Sequence, residues 1–283
     1  MGTVERAAVR TAERIETVVA PPESLRPWIT ELGHIGTVHD VSEPFAHVPT
    51  AVTTIVLRSE QSGRRDALVL GPQTRASYSK ADKPAACVRL RLAPGATRPL
   101  LGVSAADLAD RAFRLADLPG VAADLADDLS ELAPDEILPY LENTLPQRLT
   151  EDPTQRAHRT LLHSAITEIA SGAPTPVHQL ANTLAVSERQ LRNLFTIGVG
   201  VSPKHYARID RVRHVLANTP WAQSSTDSDD QRPSSFAEVA SRNGYYDQSH
   251  MSADFRALMG VPPASFFRGH LPTATPCQAI SRP

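Results

Sequence analysis

Residues 255–263 read FRALMGVPP, and residues 195–203 read FTIGVGVSP. Sixty positions apart, both stretches place a Gly five residues after Phe and a Pro three residues after that Gly. A Gly beyond a helix permits the left-handed C-cap, and a Pro just past it suits the first turn of the next helix. The chain therefore ends one helix and begins another in the same way twice, which predicts two copies of one helical unit.

Working outward, each copy is preceded by two short amphipathic patterns. In VHQLANTLAVSERQLRNLF, Val177, Leu180, Ala181 and Leu184 keep the spacing of one buried helix face. A turn at Ala185 and Val186 follows, and Ser187 with Gln190 offers a capping box for a second helix whose inward stripe is Leu191, Leu194 and Phe195. The second copy has Phe236, Val239 and Ala240, a turn at Gly244 and Tyr245, then Met251, Phe255 and Leu258 or Met259 turned inward. Ala181 and Ala240 fall one residue off the sixty-residue register, whereas Leu191 with Met251 and Phe195 with Phe255 keep it. Two short helices around a tight turn form a helix-turn-helix.

The outward residues are Arg189, Gln190, Arg192, Asn193 and Thr196 in the first copy, and Gln248, Ser249, His250, Ser252 and Arg256 in the second. These are donors and acceptors suited to base edges and phosphates, although His250 or Ser252 also fits a plain solvent-facing role. Between the copies, SPKHYARIDRVRHVLAN predicts a helix of some sixteen residues, about 24 Å at 1.5 Å per residue. Such a spacer can hold two recognition helices apart, and successive major grooves on one DNA face are about 34 Å apart. Phe195, Phe255, Tyr206, Phe266 and Phe267 read as core and docking residues.

From 175 to 271 ten Lys and Arg stand against eight Asp and Glu, three of the latter in the acidic segment 222–235. Without those three the region is positive enough for phosphate contacts, with moderate and salt-sensitive affinity expected. The acidic loop is expected to project away from DNA.

The remainder of the 283 residues divides by pattern. AVTTIVLRS, DALVLGPQ and CVRLRLAP predict short strands, and Val88, Leu90 and Leu92 alternate with Arg89 and Arg91. From Ser104 to Ser171 the pattern becomes helical, and the stripes of AADLADDLSEL and ILPYLENTL suit packing on each other or on a second chain. The expected class is α+β: a β-rich sensory region over 1–103 forming a small barrel or sandwich, a helical connector over 104–172, an all-α double helix-turn-helix over 173–271, and a flexible tail over 272–283. SGAPTP at 171–176 marks the expected boundary before the repeat.

No signal-peptide core, transmembrane-length run or CxxC pair is present, so cytoplasm is the expected compartment, with no membrane partner. No catalytic, metal or cofactor site is expected, as HExxH, phosphate-loop and nucleophile-elbow patterns are absent. His34, His39 and His47 lie in the β-rich region without an acidic partner at ligand spacing, and Cys87 reads as a buried apolar residue. Trp28, Tyr78 and Val56 are pocket candidates from apolar character alone.

The stretches LANTLAVSERQLRNLF, GVSPKHYARIDRVRHVL and VASRNGYYDQSHMSADFRALMGVPPASFFR resemble the DNA-binding domain of AraC/XylS-type transcriptional regulators. The resemblance covers roughly a third of the chain and implies base-reading roles for Arg189, Arg192 and Asn193, and for Gln248, Ser249, His250 and Ser252. Ala253 and Met251 stand where that family often has Arg and Phe, which removes one cation from the second helix. VRLRLAPGATRPLLGVSAADLADR resembles the β-rich sensory region of an AraC-type subgroup whose ligands are mostly unassigned, and implies a cupin-like regulatory domain. Together these imply a regulator with double-stranded DNA as partner, controlled by a small-molecule effector, meeting RNA polymerase if it activates, and able to form a homodimer. Control by a protein partner remains open, as does, more remotely, a DNA-repair or metal-dependent enzyme fused to a DNA-binding domain.

Overall fold

The structure is a computed structural model describing residues 10–11, 13, 15–37, 45–60, 63, 65–79, 85–171, 175–219 and 235–274. His39, most of the acidic segment, the centre of SGAPTP and the end of the C-terminal tail lie outside the described residues.

Strand propensity in the first part is realised as two sheets. β2 (Thr17–Val19), β3 (Ile29–Ile35), β8 (Ala85–Leu92), β5 (Thr54–Glu60), β6 (Arg65–Leu70) and β9 (Ala112–Arg114) form an antiparallel sheet in that order, so β2 and β9 are its edges. A smaller sheet runs β1 (Arg10–Thr11), β4 (Phe45–His47), β7 (Ser77–Ser79). The alternation in β8 sorts the larger sheet into two faces. Leu90 stands opposite Leu32 and Ile55 on an apolar face, while Arg89 and Arg91 stand opposite Gly33 and Glu31 on a polar one.

The apolar face is covered by α1 (Thr97–Leu101), α2 (Ala105–Leu108), α3 (Ala126–Glu131) and α4 (Ile137–Arg148). Leu125, Leu129, Ile137, Leu141 and Leu145 are all buried there. The two apolar stripes expected to pack on each other or on a second chain are thus used within the chain. α5 (Pro153–Ala170) starts with an Asp152–Gln155 capping box and sends Leu162 and Ala165 into the other core, that of the C-terminal helices. Packing therefore divides the expected connector between the two units.

One part of that connector is not helical. β9 lies beyond the expected limit of the β-rich region at 103 and extends the sheet along β6. Asp110 makes the corner: its φ is +56°, and its carboxylate accepts bonds from Thr74 N at 2.7 Å and Thr74 Oγ1 at 2.6 Å. Ala112-Phe113-Arg114 is too short for its period to stand out against Ala-Leu-rich surroundings.

The rest is α6 (Val177–Thr183), α7 (Glu188–Gly198), α8 (Pro203–Asn218), α9 (Phe236–Arg242), α10 (Gln248–Met259) and α11 (Pro263–Phe267). Leu191, Phe195, Val212, Met251 and Phe255 are fully or almost fully buried in one shared core. No helix among the described residues is long and apolar enough to cross a membrane.

Candidate nucleic-acid interface

Both copies form helix-turn-helix units, α6 with α7 and α9 with α10. In the first, Val186 N bonds Ala181 O at 3.0 Å, and Ala185 takes φ +53° to make the turn. Ser187 then caps α7 by accepting from Gln190 N at 3.1 Å; the reciprocal half of the expected capping box is not formed. In the second, Tyr245 N bonds Ala240 O at 3.0 Å, Gly244 has φ +70°, and Asp247 caps α10 by accepting from His250 N at 2.7 Å. Ser187 follows Val186 directly, but Tyr246 stands between Tyr245 and Asp247. That inserted residue accounts for the one-position offset in the repeat, and its side chain is 95 % exposed.

Downstream, Gly200 and Gly260 have φ of +88° and +75°, and Pro203 and Pro263 open α8 and α11. Phe195, Phe255 and Phe266 are buried, with Tyr206 and Phe267 partly buried against the same core. Phe195 meets Tyr206 edge-on at 5.9 Å, and Phe255 meets Phe266 at 5.6 Å.

On α7, Arg189, Gln190, Arg192, Asn193 and Thr196 are exposed, as are Gln248, Ser249, His250 and Arg256 on α10. Ser252 is only half-exposed. Arg192 is not idle: its Nη2 lies 2.5 Å from Glu188 Oε2, one turn back on the same exposed face. His250 meets Tyr245 edge-on at 5.4 Å, with its Nε2 4.0 Å from Asp254.

Asp254 is a structural residue the sequence reading missed. It is 6 % exposed, and its carboxylate accepts from Arg208 Nε at 2.7 Å and Arg211 Nη2 at 3.3 Å, tying α10 to α8. Arg211 also lies over the Tyr245 ring at 4.7 Å. The available signal was position: Asp254 falls beside Phe255 and three residues after Met251, on the inward side of the helix.

The helix-turn-helix pair also touches the N-terminal unit. Gly95 N donates to Gly198 O at 2.9 Å, Ala76 N to Leu258 O at 2.7 Å, and Tyr78 Oη to Met259 O at 2.6 Å. A cleft of about 330 Å³ lies between the two units, with Glu16, Glu31 and Arg91 on one wall and Tyr206, Asp210 and Arg213 on the other. Glu16 pairs with Arg91 and lies 3.5 Å from Arg89, yet Glu16 Oε1 and Arg89 Nη1 are buried without a hydrogen-bond partner. Burial raises the Asp210 carboxyl above its ordinary range, opposed by His214 at 3.5 Å.

The three pocket candidates do not converge. Trp28 packs on the N-terminal core under Arg159, Val56 lies beside Arg89 on the sheet, and Tyr78 belongs to the contact with α10. His34 lies on β3 of the larger sheet, whereas His47 is on β4 with its Nε2 3.2 Å from Ser79 Oγ. Among the described residues no group of three or more His, Cys, Asp and Glu is placed to hold a metal. Cys87 is half-exposed rather than buried, because its strand position faces the polar side with Arg89.

Known protein families match two parts of the chain. Residues 180–269 match a helix-turn-helix domain, and residues 17–114 match a domain of unknown function, DUF6597. The C-terminal unit is an AraC-type helix-turn-helix domain. Among solved structures, the chain is similar to an AraC-type transcriptional regulator from Chromobacterium violaceum at 20% identity and TM-score 0.32, covering 42% of this chain and 99% of that one. It is also similar to ToxT from Vibrio cholerae: a lysine-to-alanine variant without ligand at 10% identity and TM-score 0.41, covering 88% and 98%, and a form bound to (E)-4-(8-methylnaphthalen-1-yl)but-3-enoic acid at 8% and 0.38, covering 84% and 97%. Among the curated proteins, none matches the chain.

Proposed function

We propose that the chain is a sequence-specific transcription regulator that places α7 and α10 in two successive major grooves of one duplex. The observation that carries this is the pair of exposed recognition helices, each anchored by its own cap and held by α8, whose 16 residues span about 24 Å. Arg189, Gln190, Arg192 and Asn193 read one half-site; Gln248, Ser249, His250, Ser252 and Arg256 contact the other. Arg192 must exchange Glu188 for a base or phosphate. The two side chains keep 60 % and 42 % exposure, so releasing the pair costs little.

Control by a small polar effector completes the proposal. The cleft between the sheet and α8 supports it, because α8 joins the two helix-turn-helix units, and a ligand that binds one of their arrangements more tightly would bias DNA binding. Such a regulator works where the DNA is, in the cytoplasm of a bacterial-type cell.

Selection of bound sequences from a random duplex pool by the full-length protein tests the reading. Two short motifs about ten base pairs apart are expected. Arg192→Ala should relax only one and Gln248→Ala only the other, each by roughly 1–3 kcal/mol at its motif. Equal weakening on every sequence would leave only backbone positioning. Affinity for the selected duplex should then change when the right small polar molecule is added; indifference to every such molecule would favour control by a protein partner.

A further inference from the structure

We propose that the N-terminal unit is the jig that sets the distance and twist between the two recognition helices, with Tyr78 as a positioning residue. This rests on the two-groove reading and adds a determinant of half-site spacing outside the DNA-binding domain.

A helix leaves its last four carbonyls without intrahelical donors. In α7 and α10 part of this set is satisfied by the same partner, the N-terminal unit. Gly198 O, at the end of α7, accepts from Gly95 N, in the turn between β8 and α1. Leu258 O and Met259 O, at the end of α10, accept from Ala76 N and from Tyr78 Oη in the smaller sheet. The contact is close at the end of α7. A Cβ on Gly198 would lie 3.2 Å from Gly95 Cα, and one on Gly200 would lie 2.7 Å from Ala105 O and Pro72 Cγ. Tyr78 is 6 % exposed, and burial raises its phenol pKa, so the hydroxyl stays protonated and donates at every pH at which the protein works.

Both helices are thus held at their C-terminal ends by one body while their exposed faces point away from the core. α8 and the Asp254 ion pairs fix the second link between them. A helix held at one link can tilt, and one held at two keeps its angle. Duplex DNA makes that angle matter, because one inserted base pair turns the second half-site by roughly 35° relative to the first.

The test measures affinity of the full chain for the selected duplex, for versions with one base pair inserted or removed between the motifs, and for a duplex with a single motif. Wild type should lose at least about tenfold on either shift, equivalent to ~1.4 kcal/mol. Tyr78→Phe, which removes only the hydroxyl, should bind the selected spacing and the single motif nearly as wild type does, yet lose less than about threefold on a shift, well under that ~1.4 kcal/mol. Ala76→Pro, which removes the neighbouring backbone donor, should act in the same direction. A wild type that tolerates shifted spacing, a Tyr78→Phe variant as strict as wild type, or one equally weakened on the single motif would each overturn the proposal. If wild type selects no pair of motifs, the two-groove reading itself fails and the jig with it, a result seen before Tyr78 is changed.

Discussion

Asp254 shows how much one side chain settles in this interface. Its carboxylate is buried between Arg208 and Arg211, and the guanidinium of Arg211 also covers Tyr245, whose backbone closes the second helix-turn-helix turn. Removing one member of such a set strands the charges left behind. The two arginines keep 29 % and 23 % side-chain exposure, so water recovers part of the loss. Asp254→Asn is expected to cost about 2 kcal/mol, below the range for a fully buried pair. Urea unfolding at neutral pH measures this directly, and an unchanged midpoint would show that the pair is incidental.

At the scale of elements, the two turns solve one problem with different residues. Gly244 takes its positive φ at little steric cost, while Ala185 holds +53° against its own Cβ. Ala185→Gly should therefore stabilise the first unit by about 0.5–1 kcal/mol after allowance for the added freedom of the unfolded chain. A lowered unfolding midpoint would show that the Ala185 methyl makes a packing contribution larger than the strain. Elements of this kind were legible in the sequence because their signals are local: the cap at Ser187, the Gly and Pro after each recognition helix, and the alternation in β8 all lie within a few residues of what they specify. β9 was not legible, since it depends on a corner at Asp110 held by Thr74. Nor was the role of Asp254, whose first partner is 46 residues away, or that of Tyr78, whose acceptor is 181 residues away. The candidate base contacts were legible as exposed positions on α7 and α10, but the Arg192–Glu188 pair and the half-burial of Ser252 depend on rotamers and packing that no local pattern specifies.

For the whole molecule, the proposed two-groove reading gives the repeat and the docked N-terminal unit one geometric demand to answer. On that reading, two recognition helices of modest individual charge gain specificity by acting together while their spacing matches the helical turn of DNA. The C-terminal core runs from α5 to α11 and takes in Ala46, Val48 and Tyr78 of the N-terminal unit, so the two units share packed side chains. The most direct measurement of the central claim is a hydroxyl-radical footprint of the full-length protein on its selected duplex. Two protected windows on one face of the DNA, about ten base pairs apart, are the expected result. A single window, or protection spread evenly over both faces, would contradict the account.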